Sequence, residues 1–181
     1  MKKTHFLLVI FMLTSSLLVT ACNRSDSDNP ADSGTATGSG TMSAKIDGQN
    51  WTATSGTVSA AYTSNTLGNT LAIVGSQVQG TSAWTVTITI TNVTGTGEFR
   101  LGLIPGVGGA QGSGIYAIVA GSTLTGQAWV TTDTETGTVN ITRFDTQNKI
   151  VAGTFSFRCR NENATPEIRN ITEGRFDARW Q

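Results

Sequence analysis

Trp84-Thr85-Val86-Thr87-Ile88-Thr89-Ile90-Thr91 alternates without a break. Trp84, Val86, Ile88 and Ile90 point one way and four threonines the other. A period of two places successive side chains on opposite faces of an extended chain, so this is a half-buried antiparallel strand. The same period recurs on both sides. Val151, Gly153, Phe155, Phe157 and Cys159 form a second apolar row, backed by Ala152, Thr154, Ser156, Arg158 and Arg160. Val139 and Ile141 alternate with Thr138, Asn140 and Thr142. Shorter candidate strands cover 43–47, 50–54, 57–63, 70–75, 98–103, 115–119, 126–131 and 168–180. After residue 22 no stretch longer than a turn shows the 3.6-residue apolar period of a helix.

Turn chemistry supports this reading. Asp47-Gly48 separates two short alternating runs and is a two-residue hairpin signal in which both central residues take positive φ. Asp133-Thr134-Glu135-Thr136-Gly137 and Asp145-Thr146-Gln147-Asn148 punctuate later hairpins. Ile171 and Phe176 are an odd distance apart, so if both face the core, Glu173-Gly174 forms a bulge. About ten strands at this spacing predict an all-β domain, an antiparallel β-sandwich, with a short closed β-barrel as the alternative.

Composition agrees. Only 13% of the 181 residues are charged, whereas glycine occurs 21 times and threonine 31 times. Such a balance argues against helical bundles and coiled coils. The formal net charge is zero. A neutral domain gives no general attraction for nucleic acid, so no nucleic-acid partner is expected.

The N-terminus carries a different pattern. Met1-Lys2-Lys3 is followed by an apolar run from Phe6 to Val19 and then Thr20-Ala21-Cys22. A charged start, an apolar middle and small residues before a cut make a secretory signal over residues 1–21. Leu18-Val19-Thr20-Ala21-Cys22 resembles the lipobox of bacterial lipoproteins. The resemblance implies cleavage between Ala21 and Cys22, diacylglycerol on the Cys22 sulfur and acylation of the new N-terminus, a membrane partnership through several acyl chains. Asn23 stands where an aspartate would resemble an inner-membrane retention signal, which favours the outer membrane. The acidic stretch Ser25-Asp26-Ser27-Asp28 resembles some surface-export signals and also fits a plain solvated linker, so the face of the membrane stays open. Residues 23–41 hold only Asn, Arg, Ser, Asp, Pro, Ala, Gly and Thr and cannot offset their ordering entropy. With Cys22 they read as a flexible tether, 22–41, with a root-mean-square span of ~25 Å. Residues 42–181 then form one β domain.

Export would remove Lys2, Lys3 and the one histidine, His5, lowering the basic residues from 12 to 10 against 12 acids. Without imidazole the chain lacks the commonest general base and metal ligand. Serines and threonines abound, but Lys45 and Lys149 are the only lysines left to activate one, and both lie near turns. No catalytic residues, metal or cofactor are assigned. With Cys22 lipidated, Cys159 has no disulfide partner and, lying in an apolar row, is expected to be an inert buried thiol.

Several stretches invite chemical readings. The glycine-rich segment 102–114 has Gln111 where the third glycine of a dinucleotide fingerprint belongs and no lysine for a P-loop, so it reads as a connection between strands. Asp133, Glu135 and Asp145 could offer oxygens to calcium, but no Asp-x-Asp-x-Asp-Gly loop is present and hairpin turns commonly carry acids. Arg158 and Arg160 point away from the Phe155 row, and Arg175 and Arg179 away from Phe176. If the last two strands pair, these four arginines share an outer face that could bind phosphate or carboxylate on a glycan or an envelope protein. The alternative is a solvated face balanced by Glu162, Glu173 and Asp177. Trp129 alternates with Ala128 and Val130; exposed, it could stack on a sugar ring, and buried, it is core.

Three stretches and an ending carry a family resemblance: residues 44–53 (Ala44-Lys45-Ile46-Asp47-Gly48-Gln49-Asn50-Trp51-Thr52-Ala53), residues 137–145, residues 151–157 and Ile171-Thr172-Glu173-Gly174-Arg175-Phe176. They resemble small Gram-negative lipoproteins whose β-rich domain has no assigned function. The resemblance implies an uncharacterised lipoprotein and supplies no catalytic residues; with the N-terminal signal and the missing imidazole, the expectation is an outer-membrane lipoprotein with a non-enzymatic binding or envelope-structural domain. A carbohydrate-binding accessory of a surface uptake system is the alternative.

Overall fold

The structure is a computed structural model that describes residues 36–66, 68–102, 111–120, 125–163 and 165–181. These residues hold eleven strands: β1 (Thr41–Ile46), β2 (Gln49–Thr52), β3 (Ser59–Asn65), β4 (Gly68–Gln79), β5 (Ser82–Thr91), β6 (Gly97–Leu101), β7 (Gly112–Ala120), β8 (Thr125–Val130), β9 (Gly137–Asp145), β10 (Ile150–Arg160) and β11 (Ile168–Arg179). Every candidate strand coincides with one of them. On β5, Val86, Ile88 and Ile90 are fully buried, and the alternating threonines are half-buried.

All eleven belong to one hydrogen-bonded sheet ordered β2-β1-β11-β10-β9-β6-β7-β5-β4-β3, with β8 pairing both β7 and β10. Neighbours are antiparallel except β6 and β7, which meet in parallel at Leu101 and Gly112. The expected sandwich is therefore not built from two separate sheets. One sheet folds back so that its halves face each other across the core. Gly75 on β4 lies so near β1 that a β-carbon there would sit 2.7 Å from the Met42 sulfur, and one on Gly114 of β7 would sit 2.9 Å from the Phe157 ring of β10. Glycine at these points lets the facing layers close to the dense packing of a protein interior. At the far end of the path β3 meets the chain just beyond β11 through one isolated bridge, Ala60 to Trp180. Tyr62, Phe144 and Trp180 cluster at that seam with ring centroids 5.1–5.5 Å apart.

The turns obey their local chemistry. Asp47 and Gly48 take φ of 50° and 82°, as a two-residue hairpin requires. Asp145 caps its turn by accepting from the Gln147 and Asn148 amides. The bulge forms where parity demands it. Between Phe155 and Phe157 the register on β11 slips by one residue, β1 records the same slip, and Glu173 adopts φ 52°. Ile171 and Phe176 consequently both face the core.

The folded part starts earlier than residue 42. Residues 36–40, expected within the tether, cross the outer face of the sheet as a strap. The Asp177 carboxylate accepts from the amides of Thr37, Gly38 and Ser39 at 3.0, 2.7 and 3.1 Å and from the Ser39 hydroxyl at 2.9 Å. Arg143 donates to the Ala36 carbonyl, and Arg179 to that of Thr37. Asp177 is only 2% exposed although its position is outward-facing, because the strap covers it. Composition marked these residues as too polar to join a core; hydrogen bonds to the Asp177 carboxylate and from Arg143 and Arg179 hold them, with Ala36 buried beneath.

Candidate functional site

The outer face of β6, β9, β10 and β11 carries the residues that alternate with the core rows. Pairing aligns them. Glu98 lies opposite Asn140, Asn140 opposite Thr154, and Thr154 opposite Arg175. This part of the row crosses four adjacent strands from a carboxylate to a guanidinium and continues past Arg175 to Ser43 on β1. Three strand spacings of ~4.8 Å separate the two charges by about 14 Å along the sheet. A second row, Arg100, Thr138 and Ser156, runs beside it and ends against the bulge.

Between the rows lies a groove of about 360 Å³, floored by Thr138, Asn140, Thr154 and Ser156 and banked by Glu98 and Arg175. The bulge shapes its β11 end. Gly174 presents no side chain, and Glu173 swings out to Lys45 at 2.8 Å, a solvent-exposed ion pair that contributes little to stability. A smaller hollow of about 250 Å³ continues the depression along β10 and β11 past Ser156 and Arg158. Among the described residues, no hydrogen bond or ion pair engages the side chains of Glu98, Asn140, Thr154, Ser156 or Arg175. The groove therefore presents two unpaired opposite charges, Glu98 and Arg175, a third charge, Glu173, tied to Lys45, and a floor of amide and hydroxyl groups that only solvent satisfies. It can hold a polar ligand by hydrogen bonds; it assembles no nucleophile with a base.

The four candidate arginines diverge. Arg158 is half-exposed and within ion-pair distance of Glu135, 3.2 Å. Arg160 is partly buried beside β8, with its Nε shielded and without a hydrogen-bond partner. Arg179 spends its donors on the carbonyls of Asn148 and Thr37. Only Arg175 stands free in the groove. Of the three expected balancing acids, Glu173 is engaged by Lys45 and Asp177 by the strap.

Trp129 is not a platform. It is 0% exposed, opposite Tyr116 with the rings 5.5 Å apart, and the Arg169 guanidinium sits 4.9 Å above its ring. Of the other tryptophans, Trp51 and Trp180 are buried and Trp84 is half-buried. Arg169, which sequence reasoning did not single out, also pairs with Asp47 and Glu167. Burial works to raise the Asp47 carboxyl, but the Asn170 amide and the Arg169 guanidinium outweigh it and hold it below its ordinary value. Burial pushes the Cys159 thiol up to about 12 and the Tyr116 phenol upward too.

Of the acids considered for calcium, Glu135 faces Arg158, and Asp145 serves its own turn. Bonds from the Asn148 side chain and amide and from Arg143 hold the Asp145 carboxyl well below the usual carboxylate range. No group of three metal-ligating side chains occurs among the described residues. Ala21 and Cys22, and most of the glycine-rich segment 102–114, lie outside the described residues.

The sequence could have pointed to Glu98 and Arg100 by their alternation with Phe99. The row itself needed the pairing of β6 with β9, two strands far apart in the chain.

A family model for a domain of unknown function, DUF6252, matches residues 38–178. No curated protein and no solved structure matches the chain.

Proposed function

The chain belongs to the DUF6252 family, a domain of unknown function, and from that premise we propose that it is a non-enzymatic binding domain held at the outer membrane by lipid on Cys22. Within the Gram-negative envelope its outer sheet face receives an elongated polar ligand. One observation supports the binding role: a groove of about 360 Å³ in which, Glu173 apart, the polar side chains are engaged by no other described group. Five polar side chains are left to solvent together on one concave patch, as a site for a polar ligand requires. The anchoring half of the reading rests on the signal and lipobox pattern of residues 1–22. The carbohydrate-binding alternative loses the stacking tryptophan it drew on, because Trp129 is buried.

The reading is tested on a combined array of envelope oligosaccharides and short peptides. A ligand bound by the wild type and lost by the Asn140→Ala/Ser156→Ala double variant supports it. An array with no ligand, or one whose ligands bind both proteins alike, refutes it. Metabolic labelling with palmitate tests the anchor: label should enter the wild type and not Cys22→Ala. An unmodified Cys22 thiol in membrane-extracted mature protein would overturn that assignment.

A further inference from the structure

The two banks of the groove, Glu98 and Arg175, carry opposite unpaired charges, and that gives the groove a polarity and a length. Glu98 is exposed on β6, and Arg175 is exposed on β11. Each lacks an ion-pair partner among the described residues, although the same face pairs Lys45 with Glu173 and Arg158 with Glu135. Two charges that could have been neutralised by neighbours are instead held about 14 Å apart by three strand spacings. Between them stand a carboxamide, Asn140, and a hydroxyl, Thr154, flanked by the hydroxyls of Thr138 and Ser156. A carboxamide both donates and accepts, and a hydroxyl does either, so this floor matches the alternating N–H and C=O of an extended backbone. An extended peptide advances ~3.3–3.6 Å per residue, so four residues span about 14 Å from ammonium to carboxylate.

We propose that the groove binds a short peptide of about four residues with both charges free. Its ammonium pairs with Glu98, its carboxylate with Arg175, and its amides bond the floor between. The inference rests on the groove being a binding site and adds the chemical class and direction of the ligand. Arg175 is well suited to its part, since a guanidinium grips a carboxylate through two parallel N–H bonds. Arg100, two residues along β6 from Glu98, lies in the neighbouring row and is the internal control: it also could attract an anion but is not at the end of the peptide's path. A neutral sugar chain would leave both terminal charges unused, and no exposed tryptophan offers it a stacking surface.

The test uses the full chain in detergent and titrates tetraalanine with free termini, its N-acetylated form and its C-amidated form, read by amide chemical-shift changes at Asn140 and Ser156. Tetraalanine should bind, and each capped form should bind at least fivefold more weakly. Glu98→Gln should bind the free and acetylated peptides equally, and Arg175→Gln the free and amidated peptides equally, while Arg100→Gln behaves as wild type. Both altered sites are exposed, so an unchanged spectrum outside the groove establishes that the variants fold. Equal binding of free and capped peptides, or variants that keep the wild-type discrimination, overturns the proposal. If tetraalanine causes no shift but a neutral tetrasaccharide does, the peptide assignment falls and the groove reading stands. If neither does, both fall.

Discussion

Replacing Asp177 by alanine should free the strap without dissolving the sheet. The native carboxylate collects three backbone amides and one hydroxyl. With the strap held in place, Asp177→Ala would strand three amide donors beside an apolar methyl, each at a cost of roughly 1–3 kcal/mol. Detachment avoids that cost, because residues 36–40 precede β1 and can return their amides to water. The loss is therefore capped at the attachment energy itself. A hydrogen bond to a charged group contributes ~1.5–3 kcal/mol net, and further donors on the same carboxylate add less than proportionally. About 2–3 kcal/mol follows, or roughly 6–9 °C in Tm at ~3 °C per kcal/mol for a domain of this size. Ser39→Ala, which removes only the hydroxyl contact, should cost less than about 1 kcal/mol. Native-state hydrogen exchange is the decisive assay. In Asp177→Ala the amides of Thr37, Gly38 and Ser39 should lose protection while those of Phe176 and Ala178 keep it. Unchanged protection at residues 37–39, or equal loss throughout β11, would refute the reasoning.

Gly174→Ala places a β-carbon 2.5 Å from the Phe155 ring, so urea denaturation should show a loss of about 1–3 kcal/mol; a neutral result would mean that the ring moves freely. The carboxyls of Asp47 and Asp145 are held in the fold below their ordinary value of 3.8. A depressed carboxyl contributes stability above its unfolded value and loses it as pH falls through the folded one, so urea midpoints should drop on acidification below about pH 4. The Asp47→Asn/Asp145→Asn double variant should be weaker at pH 7 and show a flatter profile; a profile as steep as wild type contradicts the assignment. Cys159, with its thiol raised from 9.0 to about 12 by burial, should resist Ellman's reagent at pH 8 in the folded protein and react at the rate of unfolding. Its neutral state adds stability that is complete below pH 9 and fades toward pH 12. Rapid labelling of the native protein would show that the thiol is accessible.

How far the sequence could be read follows from which physics each feature uses. Strand existence rests on local periodicity, and the Trp84–Thr91 run displays it in eight residues. Bulge parity is local too: Ile171 and Phe176 cannot both turn inward over an odd separation without an extra residue. Cross-strand rows are not local. Glu98 and Asn140 become neighbours only because β6 pairs β9, and nothing in either segment names the other. The side on which Trp129 lies was open for a related reason. Its direction depended on β8 pairing β7, which sets it opposite the inward-facing Tyr116. The strap was invisible to a hydrophobicity argument because polar bonds, chiefly to one acid and also from two arginines, hold it. The four arginines shared a face as parity required, yet parity says nothing about which acids and carbonyls engage them.

The seam between β3 and Trp180 gives the domain a built-in place to breathe. The neighbours along the path are joined by ladders or, at β6 and β7, by a parallel contact, but here one bridge and three aromatic rings join the β3 edge to the chain just beyond β11. Parting them breaks no ladder, so transient opening should begin at this stitch and expose the outer edge of β3, whose unpaired backbone groups would then be the first to meet solvent or the edge of another chain.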